Sequence, residues 1–137
     1  LGLLYLSAHP DLHNPAKARR WLETAAKAGD PVAQVRLGLM LLTGEGSERD
    51  PEQAVEWYLA AALKGNVEAQ FRLAIGFHLG TGVPRDLVSA YAWYTVARMA
   101  GEHRAVAPRR KLKAMLTRGE REEAEVLIAR LNEQIGS

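Results

Sequence analysis

The 137-residue chain contains no cysteine. Within these residues that excludes disulfides, thiol nucleophiles and cysteine-ligated metals, and it leaves the compartment open. Long apolar runs are also missing. The longest candidate, LGLLYL at positions 1–6, is interrupted at once by Ser7, His9, Pro10 and Asp11. A membrane helix needs roughly 20 apolar residues, and a signal peptide needs a basic start and a longer core. Charge of one sign is scarce too: 18 Lys+Arg face 16 Asp+Glu, for a net charge of +2. Such a near balance argues little for nucleic acid. G-x-S-x-G, P-loop and G-x-G-x-x-G signatures are all absent. The hydrophobic share of 47% nevertheless suits a packed domain rather than a disordered one.

What is present is a repeat. The three tryptophans, Trp21, Trp57 and Trp93, stand 36 residues apart. Ala18, Ala54 and Ala90 precede them at one offset, and Gly29, Gly65 and Gly101 follow at another. The stretch AQVRLGLMLLTGEGSERD aligns without a gap on AQFRLAIGFHLGTGVPRD, so Gly44 meets Gly80, Gly46 meets Gly82 and Asp50 meets Asp86. Stepping back from Leu37 and Gly38 by the same interval lands on Leu1 and Gly2. LGLLYL therefore reads as the second half of a helix, and the chain is expected to begin inside a truncated repeat. Its uncovered apolar edge predicts self-association or further repeats upstream.

Each unit reads as two helices. First helices are predicted near 31–43 and 67–79, from apolar residues at helical spacing such as Val35, Leu37, Phe71 and Leu73. Second helices are predicted near 51–64 and 87–100. Asp50 followed by Pro51 is an N-terminal signal, repeated by Asn14 and Pro15. Gly29, Gly65 and Gly101 suit the left-handed residue that closes a helix. One helix pair cannot bury its own apolar face, but stacked pairs bury a continuous core. The tryptophans are expected to be buried in equivalent environments. Ala74 replaces the glycine at position 38 and should alter helix spacing.

Together, Ala33-Gln34, Leu37-Gly38, Gly44, Gly46, Asp50, Ala54, Trp57-Tyr58, Ala61-Ala62 and Gly65 resemble the Sel1-like repeat, a relative of the tetratricopeptide unit. A second copy matches through Ala69-Gln70, Gly80, Gly82, Asp86, Ala90, Trp93-Tyr94 and Gly101. The expected fold is all-α: a right-handed α/α superhelix of antiparallel helix pairs over residues 1–105. Residues 106–137 are expected to form a capping helix pair, with Leu112, Met115, Leu116, Ala124, Leu127, Ile128 and Leu131 as its apolar stripe.

The resemblance implies a bacterial, non-enzymatic adaptor that binds a protein or peptide through its concave surface, without a cofactor, metal or nucleic acid. It leans to the periplasm over the cytoplasm. First helices line the concave face, so Gln34, Arg36, Met40, Gln70, Arg72 and His78 are the candidate contact residues, with helix contacts as the other reading of Gln34 and Gln70. Arg36 and Arg72 occupy one repeat position and favour an acidic partner. Arg72 also has Glu68 in reach. Two other readings are a cell-wall-related enzyme or small-molecule binder, and a structural module of a larger chain. Residue chemistry gives the enzyme reading little support. His9 and His13 fall in a predicted loop, and His78 and His103 have no catalytic partner nearby in sequence. The basic cluster from Arg104 through Arg109 to Arg121 has no interleaved aromatic, is met at once by Glu120, Glu122, Glu123 and Glu125, and reads as a solvated face.

Overall fold

The computed structural model describes residues 15–45 and 48–136, and of Pro15 and Ala16 the backbone alone. The LGLLYL half-helix, the His9/His13 loop, the Asn14 cap and Gly46 lie outside the described residues. Among the described residues, seven α-helices follow one another: α1 (Pro15–Lys27), α2 (Pro31–Thr43), α3 (Pro51–Leu63), α4 (Val67–Leu79), α5 (Leu87–Met99), α6 (Val106–Met115) and α7 (Arg118–Gly136). A 3₁₀ turn, His103–Ala105, leads into α6. No strand occurs among the described residues. Helices α2 and α4 start 36 residues apart, as do α3 and α5.

Two kinds of link alternate, and each is written in the residues it uses. The short links turn on Gly29, Gly65 and Gly101, with φ of 97°, 91° and 103°. A left-handed residue costs glycine nothing and lets the chain fold back on the last carbonyls. Asp30 and Asn66 then cap the next helix: Asp30 Oδ1 accepts from Val32 N at 3.0 Å, and Asn66 Oδ1 from Ala69 N at 2.9 Å. The longer links close on Asp50 and Asp86, whose carboxylates accept from Gln53 N and from Val88 and Ser89 N. Arg49 Nε donates to Leu42 O at 2.9 Å, and Arg85 Nε to His78 O at 3.1 Å. These two arginines thus satisfy carbonyls that the ends of α2 and α4 leave open.

Helices α1 to α5 each pack on their neighbours in sequence, and α6 and α7 both pack on α5. One contiguous core results, from Leu22 in α1 to Leu131 in α7. Leu37, Leu41, Leu73 and Leu112 are at most 1% exposed. Burying each such side chain stabilises the stack by roughly 1.5–3 kcal/mol. Gly38 lies so close to Tyr58 that an added Cβ would fall 2.7 Å from the ring. Ala74 carries that methyl at the equivalent repeat position and is fully buried.

Three expectations need correction. The tryptophans are not equivalent: Trp93 is 4% exposed, Trp57 is half-buried and Trp21 is 45% exposed. Helix α5 is covered by α4, α6 and α7, whereas α1 packs mainly on α2 among the described residues. Met115, placed in the apolar stripe, is 53% exposed, while Leu112, Leu116, Ala124, Ile128 and Leu131 are buried. Arg109 is no solvated charge. Its guanidinium donates to Thr95 Oγ1 at 2.8 Å and Tyr91 Oη at 3.1 Å, pinning α6 to α5. Arg104 keeps an exposed position but bridges Glu68 and Glu102 and lies 4.5 Å above the Phe71 ring.

Candidate functional site

The candidate face belongs to α2 and α4. Of the six residues singled out there, three point inward. Gln34 and Gln70 are 3% and 1% exposed. Their amides donate to Ala26 O at 3.1 Å and Ala62 O at 3.2 Å, tying each first helix to the end of the helix before it. They are therefore inter-helix ties rather than surface groups. Met40 is 9% exposed and belongs to the core. Helical spacing alone did not separate these inner positions from the outer ones.

The other three lie nearer solvent. Arg36 is exposed. Arg72 is half-buried, with Nε 3.0 Å from Glu68 Oε2. His78 is half-buried, with Nδ1 3.0 Å from the Tyr94 hydroxyl and the two rings edge-on at 5.8 Å. Burial, then Arg85 and Lys111, holds the His78 imidazolium below the ordinary value of 6.5. The neutral ring is thus the form that faces Tyr94.

Beside Arg72 lies a cleft of about 150 Å³. Leu42 of α2, Val55 of α3, and Ile75 and Leu79 of α4 form its apolar walls, and Tyr58 joins Arg72 on its lining. Tyr58 is 3% exposed, and its buried hydroxyl proton has no acceptor, since the neighbouring Arg72 guanidinium can only donate. Burial pushes the phenol pKa up, and the neighbouring Arg72 guanidinium opposes that rise. Arg36 is not part of this lining, so the two arginines of the repeat position play different parts. Sequence reasoning passed over Leu42, Tyr58, Ile75 and Leu79. The signal was in the alignment: Leu42 stands where the next copy has His78, and Tyr58 where it has Tyr94.

Among the described residues, no group of three or more His, Asp or Glu side chains is placed to hold a metal ion. No described helix is long and apolar enough to cross a membrane.

Capped helix pairs in sequence, a shared core and recurring inter-helix ties define an α-solenoid, a class built for stacking and surface recognition. Residues 1–30, 31–66 and 67–102 each match the Sel1 repeat. The chain belongs to the Sel1 repeat family. Its structure is similar to that of c5321, a protective antigen of uropathogenic Escherichia coli strains displaying an SLR fold. That match has 33% identity and a TM-score of 0.86, over 98% of this chain and 29% of the antigen. A Sel1 repeat protein from Oxalobacter formigenes matches at 30% identity and a TM-score of 0.70, over 79% of this chain and 44% of that one. Helicobacter pylori cysteine rich protein B shares the fold, at 20% identity and a TM-score of 0.63 over 66% of this chain and 68% of that one. This chain therefore spans less than half the length of the first two. No curated protein matches it.

Proposed function

We propose that the chain is an interaction scaffold that engages a protein or peptide through the face shared by α2 and α4. The Sel1 repeat fold commonly serves as a protein-interaction scaffold. The observation that carries the reading here is the cleft beside Arg72, an apolar hollow with a cationic lip between two successive first helices. Solenoids recognise extended partners by presenting equivalent positions layer after layer. Exposed Arg36 and half-buried Arg72 supply donors suited to carboxylates, so an acidic partner fits best. Residues 106–137 act in this reading as a cap, with α6 and α7 closing the apolar face of α5.

The test is position-resolved photo-crosslinking in extract of the source organism. A crosslinking residue is placed at position 36 or 75 on this face, or at position 98 on α5. The reading expects the same discrete adduct from 36 and 75, and none from 98. Adducts independent of position, or an adduct from 98 alone, would refute it.

A further inference from the structure

The two tyrosines of the repeat end differently. Tyr94 shares a hydrogen bond with His78 at 3.0 Å. Thirty-six residues earlier, Leu42 replaces that histidine, and the Tyr58 hydroxyl is left buried without an acceptor. A buried hydroxyl proton without an acceptor is unfavourable and calls for an explanation. The same replacement makes the adjoining wall apolar. A cleft thus opens in which Leu42, Val55, Ile75 and Leu79 adjoin three polar residues whose side chains can donate, Tyr58, Arg72 and Thr81.

Size and chemistry restrict what fits. At about 150 Å³ the hollow is far below the several hundred Å³ of a metabolite or cofactor pocket. It matches instead the volume that admits one benzene-sized apolar group, about 150 Å³. Interfaces are commonly anchored by single side chains in pockets of this kind. The polar demand is for an acceptor, since a guanidinium only donates and the Tyr58 proton has nowhere to go. Glu68 meets Arg72 through Nε and sends its other oxygen to Arg104, 2.7 Å away. Arg72 therefore has further N–H groups to offer.

We infer that this cleft is an anchor site for a peptide segment carrying an apolar side chain of leucine or phenylalanine size next to an acidic residue. The side chain fills the space between Leu42 and Leu79, and the carboxylate accepts from the Tyr58 hydroxyl and the Arg72 guanidinium. The inference rests on the scaffold reading only in taking the occupant to be a peptide. The binding chemistry itself can be tested without any partner.

The probe is 4-methylpentanoate, which joins the isobutyl group of a leucine side chain to a carboxylate. Its alcohol counterpart, 4-methylpentanol, keeps the apolar part and replaces the carboxylate with a neutral hydroxyl. Each is titrated into the 137-residue chain and into Tyr58→Phe while backbone amide shifts are followed; the same spectra report whether the variant stays folded. The acid is expected to shift amides at Leu42, Val55, Ile75 and Leu79 saturably. The alcohol is expected to bind about tenfold more weakly, the worth of one charge-assisted hydrogen bond. Tyr58→Phe should weaken the acid by a similar factor and the alcohol by less, since a neutral hydroxyl is the poorer acceptor. Equal binding of acid and alcohol, undiminished acid binding to Tyr58→Phe, shifts centred elsewhere, or no shift would each overturn the inference. None of these outcomes bears on crosslinking at positions 36 and 75, so the scaffold reading is judged separately.

Discussion

Gly82 is the sharpest point of contact between successive repeats, and replacing it with alanine tests how they are coupled. Its φ is 80°, in the left-handed region. An L-residue there costs roughly 1–2 kcal/mol. A Cβ at this position would stand 2.3 Å from Pro51 O, 2.7 Å from Pro51 C and 2.8 Å from Val55 Cγ2. The obstacle is mainly backbone at the start of α3, so no rotamer change relieves it. Overpacking of this kind adds about 1–3 kcal/mol as the loop is pushed off its seat. The total for Gly82→Ala is about 2–5 kcal/mol, a large part of the roughly 5–15 kcal/mol that holds an ordinary domain folded. Gly119→Ala is the matched control. It lies in α7 with nothing within 4 Å of the added carbon and no positive φ. That change should be neutral or stabilise by roughly 0.5 kcal/mol. Urea denaturation followed by helical circular dichroism measures both. A Gly82→Ala midpoint equal to that of the wild type would refute the packing argument. So would a loss of the same size in Gly119→Ala, which would put the effect in glycine chemistry rather than in the contact.

Three further outcomes follow from the structure. Trp93→Ala should cost roughly 3–5 kcal/mol, with Trp57→Ala smaller and Trp21→Ala smallest, because the cost follows burial; the order of denaturation midpoints checks this. Gln70→Ala should cost about 1–3 kcal/mol, from a lost hydrogen bond to Ala62 O and the void left behind. The Ala62 carbonyl keeps Gly65 N at 3.0 Å, and the Gln70 Oε1 has no partner, so Gln70→Met should lose under about 1 kcal/mol in the same denaturation assay. His78 resists protonation in the fold. The unfolded chain takes up its proton as pH falls through about 6.5, so this contribution to stability is present above that pH and declines below it. Thermal melts between about pH 7.5 and 5 should show a shallower decline for His78→Gln than for the wild type, since the ionisable ring is gone.

The local framework was legible because it depends on residues a few positions apart. The predicted ranges 31–43 and 67–79 coincide with α2 and α4, and the Asp50 cap and the three left-handed glycines are where the spacing puts them. Burial was less legible, because it depends on what lies across the next layer. Trp21 and Trp93 hold one repeat position, yet only α5 is enclosed by α4, α6 and α7. Gln34 and Gln70 share one repeat position on the first helices, which fits a concave-face contact and a helix contact equally well. Each in fact reaches the end of the preceding helix, a contact that helical periodicity cannot express. Arg49 and Arg85 align in the two copies, but their capping role needs the loop geometry that returns each guanidinium to Leu42 O or His78 O. The cleft was hidden for a related reason. It arises where the repeat departs from itself, with leucine at position 42 against histidine at position 78.

The central claim is that a partner is held on the face shared by α2 and α4. The most direct test is an amide-shift map of the chain on addition of the partner segment recovered from the position 36 and 75 adducts. The account predicts that the largest shifts cluster at Arg36, Leu42, Arg72, Ile75 and Leu79, and that an Arg36→Ala, Arg72→Ala double variant binds more weakly at low salt while keeping its helicity. Shifts confined to α6 and α7, with affinity unchanged in the double variant, would contradict it.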